Sequence, residues 1–244
     1  MKMYGRKKSG FTLVEIAIVL VIVGLLLGGL LMPLSTQMDQ RRVSDTQQTL
    51  NQIQEALLGF SIANGRLPCP ATAASGGVEA PVGGGVCTSP WTGFLPAVTL
   101  GITPIDNAGF ALDGWQTPAN RIRYAVTTSN GSAFTTAGGM ATTTMAILAP
   151  NLNVCTTATG ITAVACGAAP ALTTNAVAII YSLGKNAGAG GAGLDEAANL
   201  NADPVFVSHP RAEAAAANGE FDDIIVWLSP NTLYNRMVAA GRLP

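Results

Sequence analysis

The chain has 244 residues, enough for one good-sized domain with an extension or for two small ones, yet only 11% are charged against roughly 25% in ordinary soluble domains. The formal net charge of -1 hides an asymmetry: four of the 13 basic side chains, Lys2, Arg6, Lys7 and Lys8, precede residue 10, leaving nine against 14 acids after it. A body of that sign has no bulk pull on nucleic acid.

The chain then turns apolar. From Phe11 to Met32 the only charge is Glu15, and at about 1.5 Å per residue a helix of that length crosses the roughly 30 Å hydrocarbon core. Basic residues crowd its N-terminal side, which keeps the leader in the cytoplasm and sends the chain beyond Met32 outward. A cleaved secretory signal is one rival reading, but the run exceeds the usual 7 to 15 residues and no A-x-A site comes after it. A plain signal anchor is the other, and it leaves the acid unexplained. A carboxylate inside a span costs about 2.5 to 3.5 kcal/mol on insertion scales and reads as functional by default.

The stretch "KKSGFTLVEIAIVLVIVGLL" resembles the N-terminus of type IV prepilins and type II secretion pseudopilins. The resemblance implies that a prepilin peptidase removes residues 1–10 after Gly10 and that Phe11 becomes the N-methylated N-terminus. It further implies that Glu15 pairs with the Phe11 amine of a neighbouring subunit in a filament. Its implied partners are the prepilin peptidase, other pilin or pseudopilin subunits and an inner-membrane assembly platform. The implied location is the bacterial inner membrane, single-pass with the head in the periplasm, and afterwards a pilus or pseudopilus.

Residues 11–33 are thus expected to form a membrane or filament-core helix. Gly24, Gly28, Gly29 and Pro33 weaken its later half or let neighbouring helices approach. Residues 34–65 continue as an amphipathic helix, because Val43, Thr46, Leu50, Ile53, Leu57 and Phe60 recur at intervals of three and four. Asn64 and Gly65 stop it, with Pro68 and Pro70 close behind.

Residues 66–244 form the head. Up to about residue 93 glycine and proline are too dense for regular structure. Strands are expected in "RIRYAVTT", "TTTMAILA", "NAVAIIYSL", "PVFVS" and "DIIVWLS", and Ser229, Pro230 and Gly241 bracket a last short helix. The fold class is α+β and pilin-like: a long N-terminal helix packed on an antiparallel sheet, with stapled loops. Four cysteines allow three pairings; Cys69 with Cys87 and Cys155 with Cys166 would each close a short loop, which implies an oxidising compartment. No C-x-x-C occurs and His209 is the only histidine, so zinc is not expected.

Three motifs invite enzymatic readings. Ser182 and Lys185 have S-x-x-K spacing, but the serine ends a strand where that chemistry needs it to open a helix. "GAGGAG" from Gly188 imitates a dinucleotide loop without the helix that should open after it. His209 has no nucleophile in a recognisable context. No catalytic residues are therefore expected. The acidic residues are more pointed: Asp195, Glu196, Asn199, Asn201 and Asp203, then Glu220, Asp222 and Asp223. Hard oxygen ligands on loops suit calcium, and the order of features is similar to the major pseudopilin of type II secretion, whose head binds calcium. The candidate ligands are Asp195, Glu196, Asn199, Asp222 and Asp223.

The functional expectation is a structural subunit, a minor pilin or pseudopilin. The alternatives are a pilus-borne adhesin or DNA-uptake module, for which Arg121, Arg123 and Tyr124 offer at most a small patch, and a membrane-anchored periplasmic enzyme.

Overall fold

The structure, a computed structural model, describes residue 10, residues 12–191 and residues 193–243, with the backbone alone over 27–34. The leader residues 1–9 and the expected new N-terminus, Phe11, lie outside the described residues. So do the side chains of 27–34, among them Gly28, Gly29 and Pro33. The chain divides into two compact units, Met1–Arg41 and Arg42–Pro244.

In the first unit, helix α1 (Leu13–Asn64) begins, and every described side chain from residue 12 to residue 26 is exposed. Among the described residues no helix is long and apolar enough to cross a membrane. The last third of the expected span, residues 27–33, falls where side chains are not described.

The second unit starts from the stripe foreseen on α1. Thr46, Leu50, Ile53 and Leu57 are buried, joined by Leu58. They face a four-stranded antiparallel sheet of order β1-β2-β5-β7, built from β1 (Gly93–Phe94), β2 (Arg123–Val126), β5 (Ala178–Ser182) and β7 (Ile224–Leu228). Strand alternation sorts its two faces. Tyr124, Val126, Ala178, Ile180 and Leu228 join the helix stripe in one apolar cluster, together with Leu233 and Met237 of the last helix, Pro230–Ala239. The opposite face carries Ala125, Ile179 and Tyr181, which pack against a second sheet through Leu152, Val154 and Phe206.

That second sheet has the order β4-β3-β6, from β3 (Leu152–Cys155), β4 (Ala171–Ala176) and β6 (Val205–Val207). It corrects the expectation of a single antiparallel sheet, since β3 pairs β6 in parallel. It also corrects "TTTMAILA". The main-chain oxygen of Thr144 accepts from the amides of Ile147 and Leu148, closing a turn that leaves Met145 and Ile147 exposed and buries only Leu148. The short run "LNVC" supplies the strand instead.

Both sequence-local disulfides are formed, Cys69–Cys87 and Cys155–Cys166. The first loop is also held by a buried pair in which Arg66 Nη1 and Nη2 each donate to Glu79 at 2.7 Å. At the far end of α1, Arg242 donates to the otherwise open carbonyls of Ile62 and Ala63 at 2.7 and 2.8 Å.

Candidate functional site

The N-terminal motif opens α1 with a reciprocal cap. The Thr12 amide and hydroxyl both donate to Glu15 Oε2 at 2.9 Å, and the Glu15 amide donates back to Thr12 Oγ1 at 3.3 Å. This is a capping box, which satisfies donors that the first helical turn leaves open. Sequence reasoning singles out Glu15 and misses its partner, although Thr12 and Glu15 stand in the T-x-x-E spacing directly before an apolar run. Gly10 lies just before. Among the described residues, a Cβ there would meet nothing within 4 Å.

In the head, three carboxylates converge. Glu196, on the short helix Leu194–Ala198, meets Asp222 and Asp223, which precede β7, and one oxygen from each lies within 4.8 Å of the others. All three side chains are buried. Glu196 accepts from Asn186 Nδ2 at 2.9 and 3.0 Å and from the Asp222 amide at 3.0 Å. Asp222 Oδ2 accepts from the Lys185 amide at 3.0 Å, while Asp222 Oδ1 is buried with no hydrogen-bond partner among the described residues. Gly184, at φ +65°, makes room for that oxygen.

The electrostatics follow from burial. Asp222 is pushed up to about 6, chiefly by loss of solvent, with Glu196 and Glu220 adding to the rise. Burial lifts Asp223 well above the usual carboxylate range against the Asn199 hydrogen bond, and the charges of Glu196 and Asp222 push the same way. The cluster opens on a cleft of 270 Å³ lined by Val43, Trp115, His209, Arg211, Asp222 and Asp223 among others. Crowded, buried carboxylate oxygens of this kind are the donor type that a hard cation takes.

Two expected ligands are engaged elsewhere. Asn199 Oδ1 accepts from the Val207 amide at 2.7 Å, and its amide nitrogen donates to Asp223 Oδ2 at 2.7 Å. Asn199 therefore steadies the cluster from outside. Asp195 turns away to accept from the Ala158 amide, from Asn218 at 3.0 and 3.2 Å, and from His209 Nε2 at 3.1 Å. His209 is thus fixed to Asp195 and stacked on Phe221, with ring centroids 3.9 Å apart.

A family model described as the prokaryotic N-terminal methylation motif matches residues 5–31. The chain carries the hallmark of type IV pilins and pseudopilins. The motif implies processing by a prepilin peptidase and assembly with other pilin-like subunits. It spans the expected cleavage point and Glu15, and stops well short of the head. No curated protein and no solved structure matches the chain.

The remaining sequence motifs acquire structural roles. Ser182 is buried and donates to Asp113 Oδ2 while accepting from the Gly184 amide at 3.1 Å. Its partner is an acid only 2% exposed, so the hydroxyl belongs to an interior network. A helix does open after the glycine loop, contrary to expectation, but Asp195 and Glu196 fill its first turn with negative charge, the wrong sign for a phosphate. Of the small basic patch, Arg121 is paired with Asp106 at 2.8 Å, Arg123 lies over Phe94, and Tyr124 is fully buried with its hydroxyl on the Pro68 carbonyl.

Proposed function

We propose that this protein is a non-enzymatic, pilin-like structural subunit, cut after Gly10 and N-methylated at Phe11. Residues 11–33 hold it in the inner membrane as a single span, with residues 66–244 on the periplasmic side, until it is drawn into a filament. In the filament, Glu15 pairs with the Phe11 amine of a neighbour, which removes two charges from lipid together. The observation that carries this reading is the methylation motif over residues 5–31 with Glu15 as the lone charge of its apolar run. A length well beyond compact major subunits and a head of stapled loops favour a minor position.

The test is the intact mass and N-terminal sequence of membrane-extracted chain made with and without a prepilin peptidase. A product beginning at methylated Phe11, absent in Gly10→Val, is expected. Retention of the leader, or cleavage beyond the apolar run, overturns the reading.

The unpartnered Asp222 Oδ1 supports a second, independent reading, calcium in the head, held by Glu196, Asp222 and Asp223. The ion would supply positive charge to oxygens that burial otherwise forces toward protonation. Calorimetric titration of the chelator-stripped protein tests it. Saturable binding lost in Asp222→Asn is expected, and no heat beyond dilution removes the reading.

A further inference from the structure

The turn that follows β5 touches the carboxylate cluster at three consecutive residues. Gly184 packs so closely on Asp222 that a Cβ there would fall on its carboxylate. The Lys185 amide donates to Asp222 Oδ2 at 3.0 Å, and Asn186 Nδ2 donates to both Glu196 oxygens at 2.9 and 3.0 Å. A glycine at φ +65° loses more conformational freedom on being fixed than any other residue, so this turn needs something to hold it. Two buried side chains do. Ser182 Oγ accepts from the Gly184 amide at 3.1 Å, and Asn120 Nδ2 donates to the Gly184 carbonyl. Both lead back to Asp113: Ser182 Oγ and Asn120 Nδ2 donate to its Oδ2, the latter at 2.9 Å, and the Trp115 amide donates to its Oδ1 at 2.9 Å. Asp113, Asn120 and Ser182 are at most 3% exposed.

We infer that Asn120, with Asp113 and Ser182 behind it, is a positioning residue for the cation of the head: it fixes the Gly184 peptide, and with it the Lys185 amide and the Asn186 side chain that hold Asp222 and Glu196. The inference rests on the calcium reading and goes beyond it by assigning a role to residues outside the ligand set. The cluster itself points to a ligand, since Asp222 is only 8% exposed and its Oδ1 has no hydrogen-bond partner among the described residues. A calcium ion takes about six to eight oxygens, and the groups that orient those oxygens are typically worth roughly 10–100-fold in metal affinity. Fixing the turn in advance lowers the ordering cost of binding. Position 120 requires an amide. Its nitrogen donates twice, to a carboxylate and to a carbonyl, while its oxygen accepts from Thr117 Oγ1 at 2.6 Å. A carboxylate there has no hydrogen to give to either acceptor.

The experiment uses the full chain in detergent, stripped with chelator, with circular dichroism to establish that each variant folds. Calcium affinity is read by calorimetry, and terbium serves as a luminescent stand-in for calcium. Trp115 lines the same cleft as Asp222 and Asp223, so tryptophan excitation sensitises a bound terbium, and its lifetimes in light and heavy water count the waters on the ion. Asn120→Ala should weaken calcium binding at least about tenfold and add about one water to the bound terbium, in place of a loosened carboxylate oxygen. Ser182→Ala should move both readouts the same way, and it carries the test if Asn120→Ala does not fold. Thr135→Ala is the control: it removes a buried hydroxyl that donates to the Gly85 and Ser132 carbonyls, and it should leave affinity and water count at the parent values. A folded Asn120→Ala or Ser182→Ala that binds calcium like the parent, with the same water count, overturns the inference and leaves the calcium reading intact. An equal loss in Thr135→Ala overturns it too, by making the effect one of general destabilisation. A parent that binds neither ion removes both.

Discussion

Gly184→Ala is the substitution that most directly probes how the head keeps its carboxylates together. Position 184 has φ +65°, and a Cβ there would fall on Asp222 Oδ1 and lie within 2.5 Å of that residue's carboxyl carbon and main-chain oxygen. Holding alanine in the left-handed region costs about 1–2 kcal/mol. Pushing Asp222 aside also breaks its bond from the Lys185 amide, about 1.5–3 kcal/mol for a charged acceptor. Part of this is returned without calcium, because displacement relieves the crowding of Asp222 against Glu196. A net loss of about 2–3 kcal/mol corresponds to a fall in Tm of roughly 5–10 °C for a unit of this size. The assay is thermal unfolding by circular dichroism in chelator and in saturating calcium, with calorimetry for the ion. The larger fall should come with calcium present, and calcium affinity should drop at least about tenfold. Gly188→Ala is the control, since its Cβ would meet nothing within 4 Å and its φ is not left-handed; it should melt with the parent. If Gly184→Ala also melts with the parent and binds the ion equally, the geometric account of the cluster is wrong.

Three further outcomes are expected of the head. In chelator, Asp222 has its folded pKa raised to about 6, so its contribution to stability is complete below about pH 4 and is lost as pH rises through 6. The difference in urea stability between parent and Asp222→Asn should therefore change by roughly 2 kcal/mol between pH 4 and pH 7, and a flat difference refutes the assignment. Glu79 behaves oppositely: burial pushes it up, but Arg66 and the Cys69 and Gly83 amides outweigh that and hold it below the usual range. Its contribution is present above the ordinary glutamate pKa and is lost as the solution is acidified. Arg66→Met, which strands this acid in the interior, should cost about 3–5 kcal/mol, whereas Arg66→Met with Glu79→Met should recover most of it. Replacing Cys155 and Cys166 together by alanine opens a loop of sequence separation 11 and should lower stability by about 2–4 kcal/mol in urea, with a negligible change counting against a stapling role.

How far the fold can be read from the sequence depends on the range of the interactions concerned. The stripe from Thr46 to Leu57, the end of α1 at Asn64 and the last helix are set by local spacing and caps, and the structure has them where that spacing puts them. Strand assignments depend on a partner elsewhere in the chain. "TTTMAILA" has β propensity but closes on Thr144, while the four residues of "LNVC" become a strand because β4 and β6 flank them. Propensity on a half-buried surface is mostly a statement about neighbours, and neighbours distant in sequence are what a single chain does not display.

The carboxylates illustrate the same division within one site. Asp195 and Glu196 are adjacent and equally acidic, so no composition argument separates them. Their side chains leave the short helix in different directions, one toward Asn218 and His209, the other toward Asp222. The site therefore depends on the return of the chain at Asp222, 26 residues later, and on the glycine at 184 that lets it approach. At the N-terminus the reverse holds. Thr12 and Glu15 are three residues apart, and helix geometry alone brings them together. The capping box can be recognised in a sequence because both of its residues lie within one helical turn, whereas the head's carboxylate cluster needs contacts across 26 residues.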